Sequence, residues 1–157
     1  FIAGWTTPAR ISRHMRLYIG NETKNRLPGK LIRELFEIVA SREAQSNWRA
    51  GINVVFIGDR RMQTLNKRHR GLSRPTDVLT FNLDRPDRED GIFGEIYISC
   101  DTARRQARQL DVDLTEEYAR VACHGLMHRF GYDHKKPSEA MVMESKEREC
   151  LALLGRG

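Results

Sequence analysis

Three histidines near the C-terminus of this 157-residue chain have the spacing of a metal site. They lie in the segment HGLMHRFGYDH, which begins at His124 and contains His128 and His134. Residues four apart on a helix are separated by about 40° around its axis, so His124 and His128 would face the same way. Gly131 would end the helix and let the chain bring His134 back to the same point. Three imidazoles with an open fourth position are typical of a catalytic zinc ion, although nickel suits the same nitrogens in purified material.

The same spacing occurs in the metzincin proteases, whose signature is H-E-x-x-H-x-x-G-x-x-H. This chain has Gly125 where those proteases carry the glutamate that acts as general base. A glycine inside a helix costs about 1 kcal/mol relative to alanine, so we expect a substrate or another chain segment to approach the backbone there. The pattern therefore indicates a metal hydrolase and makes a metalloprotease the weaker interpretation. Core or surface histidines without a metal are the alternative.

The composition is that of one globular domain with a basic surface, since the net charge is +6 and 31% of residues are charged. No apolar run reaches the roughly 18–20 residues of a membrane helix, so we expect no membrane partner. Three cysteines without close spacing argue against a disulfide framework and indicate a reducing cytoplasm. Clustered basic residues favour a polyanion such as RNA, but solvated helix faces explain such clusters equally well. The clusters comprise Lys67, Arg68, Arg70, Arg74, Arg104, Arg105, Arg108, Arg129, Lys135 and Lys136.

Hydrophobic periodicity predicts an α+β fold: a small mixed sheet covered by helices, with the three-histidine site at the end of one helix. Residues 1–13 are predicted to form an irregular N-terminal arm, and residues 14–157 a single domain. Asp59 and Asp101 are predicted to cap helices. Strands are predicted at 15–19, 52–57, 78–83 and 95–99, and helices at 31–40, 59–69, 101–110, from 113 onward, and at 138–154.

Three further segments complete a pattern that can be compared with a known family. The segment from Leu65 to Arg70 reads LNKRHR, the run from Pro75 to Phe81 reads PTDVLTF, and residues 94–98 read GEIYI. With the histidine motif, these segments resemble the YbeY family of bacterial endoribonucleases involved in ribosomal RNA maturation. The family patterns are L-N-x-x-x-R-x-x-x-x-P-T-D-V-L-S-F, G-D-I-x-I and H-G-x-x-H-x-x-G-Y-D-H. Met127 stands where the family commonly has leucine.

The resemblance implies zinc at the three histidines and marks Arg70 as an active-site residue. A guanidinium stays charged and binds phosphate through two parallel hydrogen bonds, which suits that role. The implied function is a zinc-dependent endoribonuclease that cuts single-stranded RNA in ribosomal RNA processing, including 16S rRNA 3′-end maturation, and in ribosome quality control. The alternative is a non-catalytic factor that docks on the small ribosomal subunit with other assembly factors.

The sequence leaves two details of such a site open. A metal-binding imidazole usually donates its second N–H to a carboxylate or a carbonyl. Tyr132 and Asp133 are therefore candidates to hold the histidine rings, although Asp133 suits a solvated turn equally well. The attacking group would be either a metal-bound water or the 2′-hydroxyl of the RNA.

Overall fold

A five-stranded mixed sheet organises the chain, and the predicted α+β class is confirmed. The computed structural model describes residues 9–11, 15–45 and 47–155. The strands are β1 Ala9–Ile11, β2 Met15–Asn21, β3 Gly51–Ile57, β4 Val78–Asn82 and β5 Ile92–Ser99. The helices are α1 Gly29–Glu43, α2 Asp59–Arg70, α3 Cys100–Leu110, α4 Leu114–Arg129 and α5 Pro137–Leu153. The strand order is β1-β2-β3-β5-β4, with β2, β3 and β5 parallel and an antiparallel strand at each edge.

The two faces of β3 contribute to two separate hydrophobic cores. The even-numbered residues of 52–57 belong to a large core, which α1, α4 and α5 cover. On the other face, Val55 and Ile57 pack with Met62 and Leu65 of α2 in a small core. Successive side chains of a strand point to opposite faces of a sheet, so helices on both sides require apolar residues throughout the strand. This is why 52–57 is a nearly continuous apolar run.

The N-terminal segment differs from its prediction. Residues 9–11 form β1 and pair with β2, so the predicted irregular arm over residues 1–13 is wrong at these positions. The pairing covers an edge of β2 that would otherwise leave its backbone groups open. Residues 1–8 and 12–14 lie outside the described residues, and the division into an arm and a single domain stays a prediction. In the described part of the chain, no helix is long and apolar enough to cross a bilayer.

The two aspartates predicted as helix caps join α2 to α3 instead. The Asp59 carboxylate accepts hydrogen bonds from Ser99 Oγ at 2.7 Å, Thr102 Oγ1 at 2.6 Å and Arg105 Nη1 at 2.6 Å. Asp101 accepts one from the backbone N–H of Asp59 at 2.8 Å. Gly58 occupies the N-cap position of α2, and Ser99 occupies that of α3. Burial by itself would raise the pKa of Asp59, but the three hydrogen bonds outweigh it and hold that pKa below its usual value.

Close packing of α4 on the sheet positions the candidate site. A Cβ atom at Gly125 would lie 2.7 Å from Ile96 Cγ2 and 3.1 Å from Val78 Cγ2. Only a glycine lets the helix backbone come this near to β4 and β5. The close approach predicted at Gly125 is therefore confirmed, and the approaching group is another segment of the same chain.

Candidate active site

The three histidines meet at the C-terminal end of α4. His124 and His128 lie on one face of the helix with their Nε2 atoms 3.2 Å apart. Gly131 adopts a φ of 104°, a left-handed value, and turns the chain as predicted. His134 then returns to the same point, so each of the three residues offers a ring nitrogen within 4.8 Å of the others. His124 and His128 are half-buried, whereas His134 is exposed.

Contacts to the far side of two rings fix their orientation. His124 Nδ1 lies 2.8 Å from Glu147 Oε1, and His128 Nδ1 lies 3.1 Å from the backbone carbonyl oxygen of Tyr132. When Nδ1 carries the proton and donates it to these acceptors, the lone pair of each Nε2 is free for a metal. The sequence indicated a role for Tyr132 and did not reveal Glu147, which comes from α5.

The donor set fits a divalent ion. Two nitrogens that bind one tetrahedral zinc ion at about 2.0–2.1 Å are separated by roughly 3.3 Å, close to the distance between the two Nε2 atoms. Burial lowers the pKa of His128, and the neighbouring His124 and His134 lower it further. This favours the neutral imidazole that a metal ligand must be. Among the described residues no cysteine or carboxylate joins the group, so a fourth position would open to solvent.

An open cleft of about 650 Å³ leads to the histidines and brings Arg70 to them. Arg70 is the last residue of α2, and its exposed side chain lines the cleft together with β4 and the segment 131–134. No carboxylate of the described residues forms a salt bridge with its guanidinium. The cleft therefore holds an available cation beside the three imidazoles.

Two other residues near the motif, Asp133 and Arg129, do not join the site. Asp133 Oδ1 accepts a hydrogen bond from the backbone N–H of His134 at 2.7 Å, so Asp133 is a turn residue and does not hold an imidazole ring. Arg129 turns away from the cleft, because its Nε donates to the Phe93 carbonyl oxygen at 2.8 Å. Its guanidinium carbon lies 3.2 Å from the centre of the Phe93 ring, and burial lowers its pKa to about 10. Arg129 is therefore part of the packing rather than of a phosphate-binding surface.

The buried carboxylate of Glu117 helps to hold one wall of the cleft. The sequence gave no reason to select this residue. Glu117 is 1% exposed and accepts hydrogen bonds from Arg120 and from Gln106 Nε2, the latter at 2.9 Å. The same Gln106 nitrogen lies 3.2 Å from Asp77 Oδ2, and Asp77 lines the cleft. Side chains of α3 and α4 thus hold the start of β4 in place.

Fold and site together define the class of this molecule: an α+β protein with an open three-histidine site that can hold a metal ion. A family model described as Endoribonuclease YbeY matches residues 18–155. The chain therefore belongs to the YbeY family.

Individual relatives agree with this membership. The chain is 43% identical over 106 residues to Endoribonuclease YbeY of Anaeromyxobacter sp. (strain Fw109-5), a match that covers 68% of this chain and 55% of that protein. It thus spans little more than half the length of that relative. It is 33% identical over 140 residues to Endoribonuclease YbeY of Chloroherpeton thalassium, covering 89% of this chain and 96% of that protein. Among solved structures, it resembles the solution structure of TM1509 from Thermotoga maritima, with a TM-score of 0.60 and 30% identity over 87% of this chain and 86% of that one.

Proposed function

We propose that this chain is a metal-dependent endoribonuclease that cuts single-stranded RNA, with zinc as its metal. The observation that carries the proposal is the single cleft that brings Arg70 beside His124, His128 and His134. The name of the relatives supports RNA as the substrate. The same proposal includes a role in ribosomal RNA processing in the cytoplasm, including maturation of the 3′ end of 16S rRNA. It also includes a role in ribosome quality control and contact with the small ribosomal subunit and its assembly factors.

Each residue of the cleft has a role in this proposal. Arg70 would bind non-bridging oxygens of the scissile phosphate, and its fixed charge would stabilise the negative charge that grows in the transition state. The three histidines would hold the metal, which when bound supplies a Lewis acid and lowers the pKa of a water molecule toward about 7. Glu147 would keep His124 aimed at the metal position. The attacking oxygen would come from water or from the RNA 2′-hydroxyl, and a 2′,3′-cyclic phosphate product would identify the second.

The packing of Gly125 argues against a peptidase. Position 125 faces β4 and β5, where even a methyl group would press on Ile96. A glutamate at this position would have no room and would not face the cleft. We therefore expect a purified sample to leave casein-like substrates intact, and protease activity that disappears with His124→Ala would contradict the proposal.

Arg70→Ala provides the direct test of the function. We expect RNA cleavage to fall by roughly 10²–10³-fold, the scale of losing one donor to a developing oxyanion. Metal content should not change, because Arg70 is not a ligand. The slope of the logarithm of the RNA-binding constant against the logarithm of the salt concentration should become shallower by about one unit. Arg70→Lys should restore only part of the rate, since an ammonium lacks the two-pronged geometry. Arg60→Ala is the matched control, because Arg60 is exposed at the opposite end of the same helix and does not line the cleft.

The alternative, a docking factor without catalysis, gives a different pattern in the same experiment. Association with RNA or with the small ribosomal subunit would collapse in Arg70→Ala, and neither protein would cut RNA. Wild-type cleavage rates in Arg70→Ala would remove Arg70 from the site.

A further inference from the structure

The pairing of β4 with β5 determines which of its backbone groups are free. The backbone N–H of Ser99 donates to the Asp77 carbonyl oxygen at 2.9 Å, and the N–H of Leu83 donates to the Phe93 carbonyl oxygen at 3.1 Å. In an antiparallel ladder, hydrogen-bonded pairs alternate with non-bonded pairs. The odd-numbered residues of 77–83 therefore direct their backbone groups toward β5.

Val78, Thr80 and Asn82 consequently turn their backbone N–H and C=O groups away from β5, toward the open side of the strand. β4 is the edge of the described sheet, and none of these groups bonds to a loop or side chain of the described residues. All three residues line the cleft that contains the histidines. An open strand edge presents donors and acceptors that a ligand can pair with.

We propose that this edge binds the backbone of the RNA strand. The N–H groups of Val78, Thr80 and Asn82 donate to phosphate oxygens, and their carbonyl oxygens accept hydrogen bonds from ribose 2′-hydroxyls. This inference rests on the proposed function and adds how the substrate is held. Every second residue of a β-strand lies about 6.6–6.8 Å further along the strand, a spacing comparable to the distance between phosphates in an extended nucleic-acid strand. One donor and one acceptor at each step suit one phosphate and one 2′-hydroxyl, the group that distinguishes RNA from DNA.

Charge and packing favour RNA over a peptide for this edge. Exposed cations in the last turn of α2 and in the loop after it precede the first residue of the edge; they are Lys67, Arg68, Arg70 and Arg74. The close packing of α4 on β4 at Gly125 holds the edge beside the neighbouring His124. An RNA strand bound along β4 would thus pass Arg70 and then cross the candidate metal position. A peptide can also add to a strand edge, but it would not use this row of cations.

Proline substitutions test the donors separately from the side chains. Thr80→Pro and Asn82→Pro each remove one outward N–H, a position at which an edge strand tolerates proline. Each should weaken binding of a ten-nucleotide single-stranded RNA by about 10-fold or more, the scale of one hydrogen bond to a charged group. The salt slope should stay unchanged because no charge is lost, in contrast to Arg70→Ala. Thr80→Val and Asn82→Ala, which keep the N–H groups, should lose much less affinity for RNA than the proline variants at the same positions. Equal losses in the two variants of each pair would assign the effect to the side chains and contradict the inference.

Amide hydrogen exchange in the wild-type protein tests the same point without a variant that risks misfolding. Excess RNA should slow exchange at Val78, Thr80 and Asn82, and DNA of the same sequence should do so less well. If RNA is cut normally while these amides are unaffected, the inference fails and the proposed function stands. If a ten-residue threonine-valine peptide protects them and RNA does not, the edge is a protein-docking surface and the inference also fails. If the wild type neither binds nor cuts RNA, the proposed function itself fails.

Discussion

Replacing Gly125 by alanine should measure how closely α4 must approach the sheet. The new Cβ would lie 2.7 Å from Ile96 Cγ2, whereas ordinary contact begins at 3.4 Å. Ile96 is fully buried and β-branched, so the methyl group it presents has little freedom to move. The helix must therefore retreat from β4 and β5 and move His124 with it.

Two opposing terms set the size of the effect on stability. Alanine improves helix propensity by about 1 kcal/mol relative to glycine. Overpacking of a close-packed core typically costs about 1–3 kcal/mol. We therefore expect Gly125→Ala to lower the free energy of unfolding by about 1 kcal/mol and the melting temperature by about 2–4 °C. RNA cleavage should fall at least 10-fold, since a displacement of about 1 Å in an active site has been worth up to 10²-fold.

Urea denaturation of four proteins checks this reasoning: the wild type, Gly125→Ala, Ile96→Ala and the double variant. Ile96→Ala alone should cost about 2–5 kcal/mol because it leaves a cavity. In the double variant the methyl group at position 125 partly fills that cavity, so the two effects should be less than additive by about 1 kcal/mol. Strict additivity, or a single Gly125→Ala variant that is more stable than the wild type with full activity, would refute the packing argument.

Three further outcomes follow from the contacts around the site and the α2–α3 junction. Glu147→Ala should weaken metal binding by about 10–100-fold in a metal titration because His124 loses its partner, whereas Glu149→Ala on the same helix should not. His128→Ala should lose the bound metal in elemental analysis, and retention of a full equivalent would contradict the proposed site. The pKa of Asp59 is lowered from 3.8 in the folded chain, so the ionised carboxylate stabilises the fold above pH 3.8. This stability is lost as the pH falls through the lowered pKa of the folded chain. The Asp59→Asn variant should therefore lose less stability on acidification than the wild type in acid denaturation.

The sequence predicted those parts of the site that depend on local spacing. The histidines of the motif converge because helical periodicity and one glycine turn are sufficient to place them, and both can be recognised in eleven residues. Glu147 could not be predicted, since its contact with His124 depends on how α5 packs against α4. The contacts of Glu117 with Gln106 and of Arg129 with Phe93 likewise join separate elements and have no local pattern.

The helix boundaries show the same limit at the level of the fold. Asp59 and Asp101 have the residue type of N-caps, and the sequence offered no reason to choose differently. In the folded chain, however, side chains of α3 donate hydrogen bonds to the Asp59 carboxylate, and a backbone N–H of α2 donates one to the Asp101 carboxylate. Tertiary hydrogen bonds thus displaced the local capping preference while leaving the helices within two residues of their predicted starts.

The small core under α2 has a consequence for the motion of the cleft. Five buried residues form that core, and α2 itself buries only Met62, Leu65 and Asn66. Segments with few buried apolar contacts open at a lower free-energy cost than the rest of a domain. The Asp59 contacts hold the first turn of α2, so we expect opening to begin at the last turn, which carries Arg70. Substrate capture would then couple to ordering of this helix end, while the histidine side, built on the large core, stays rigid.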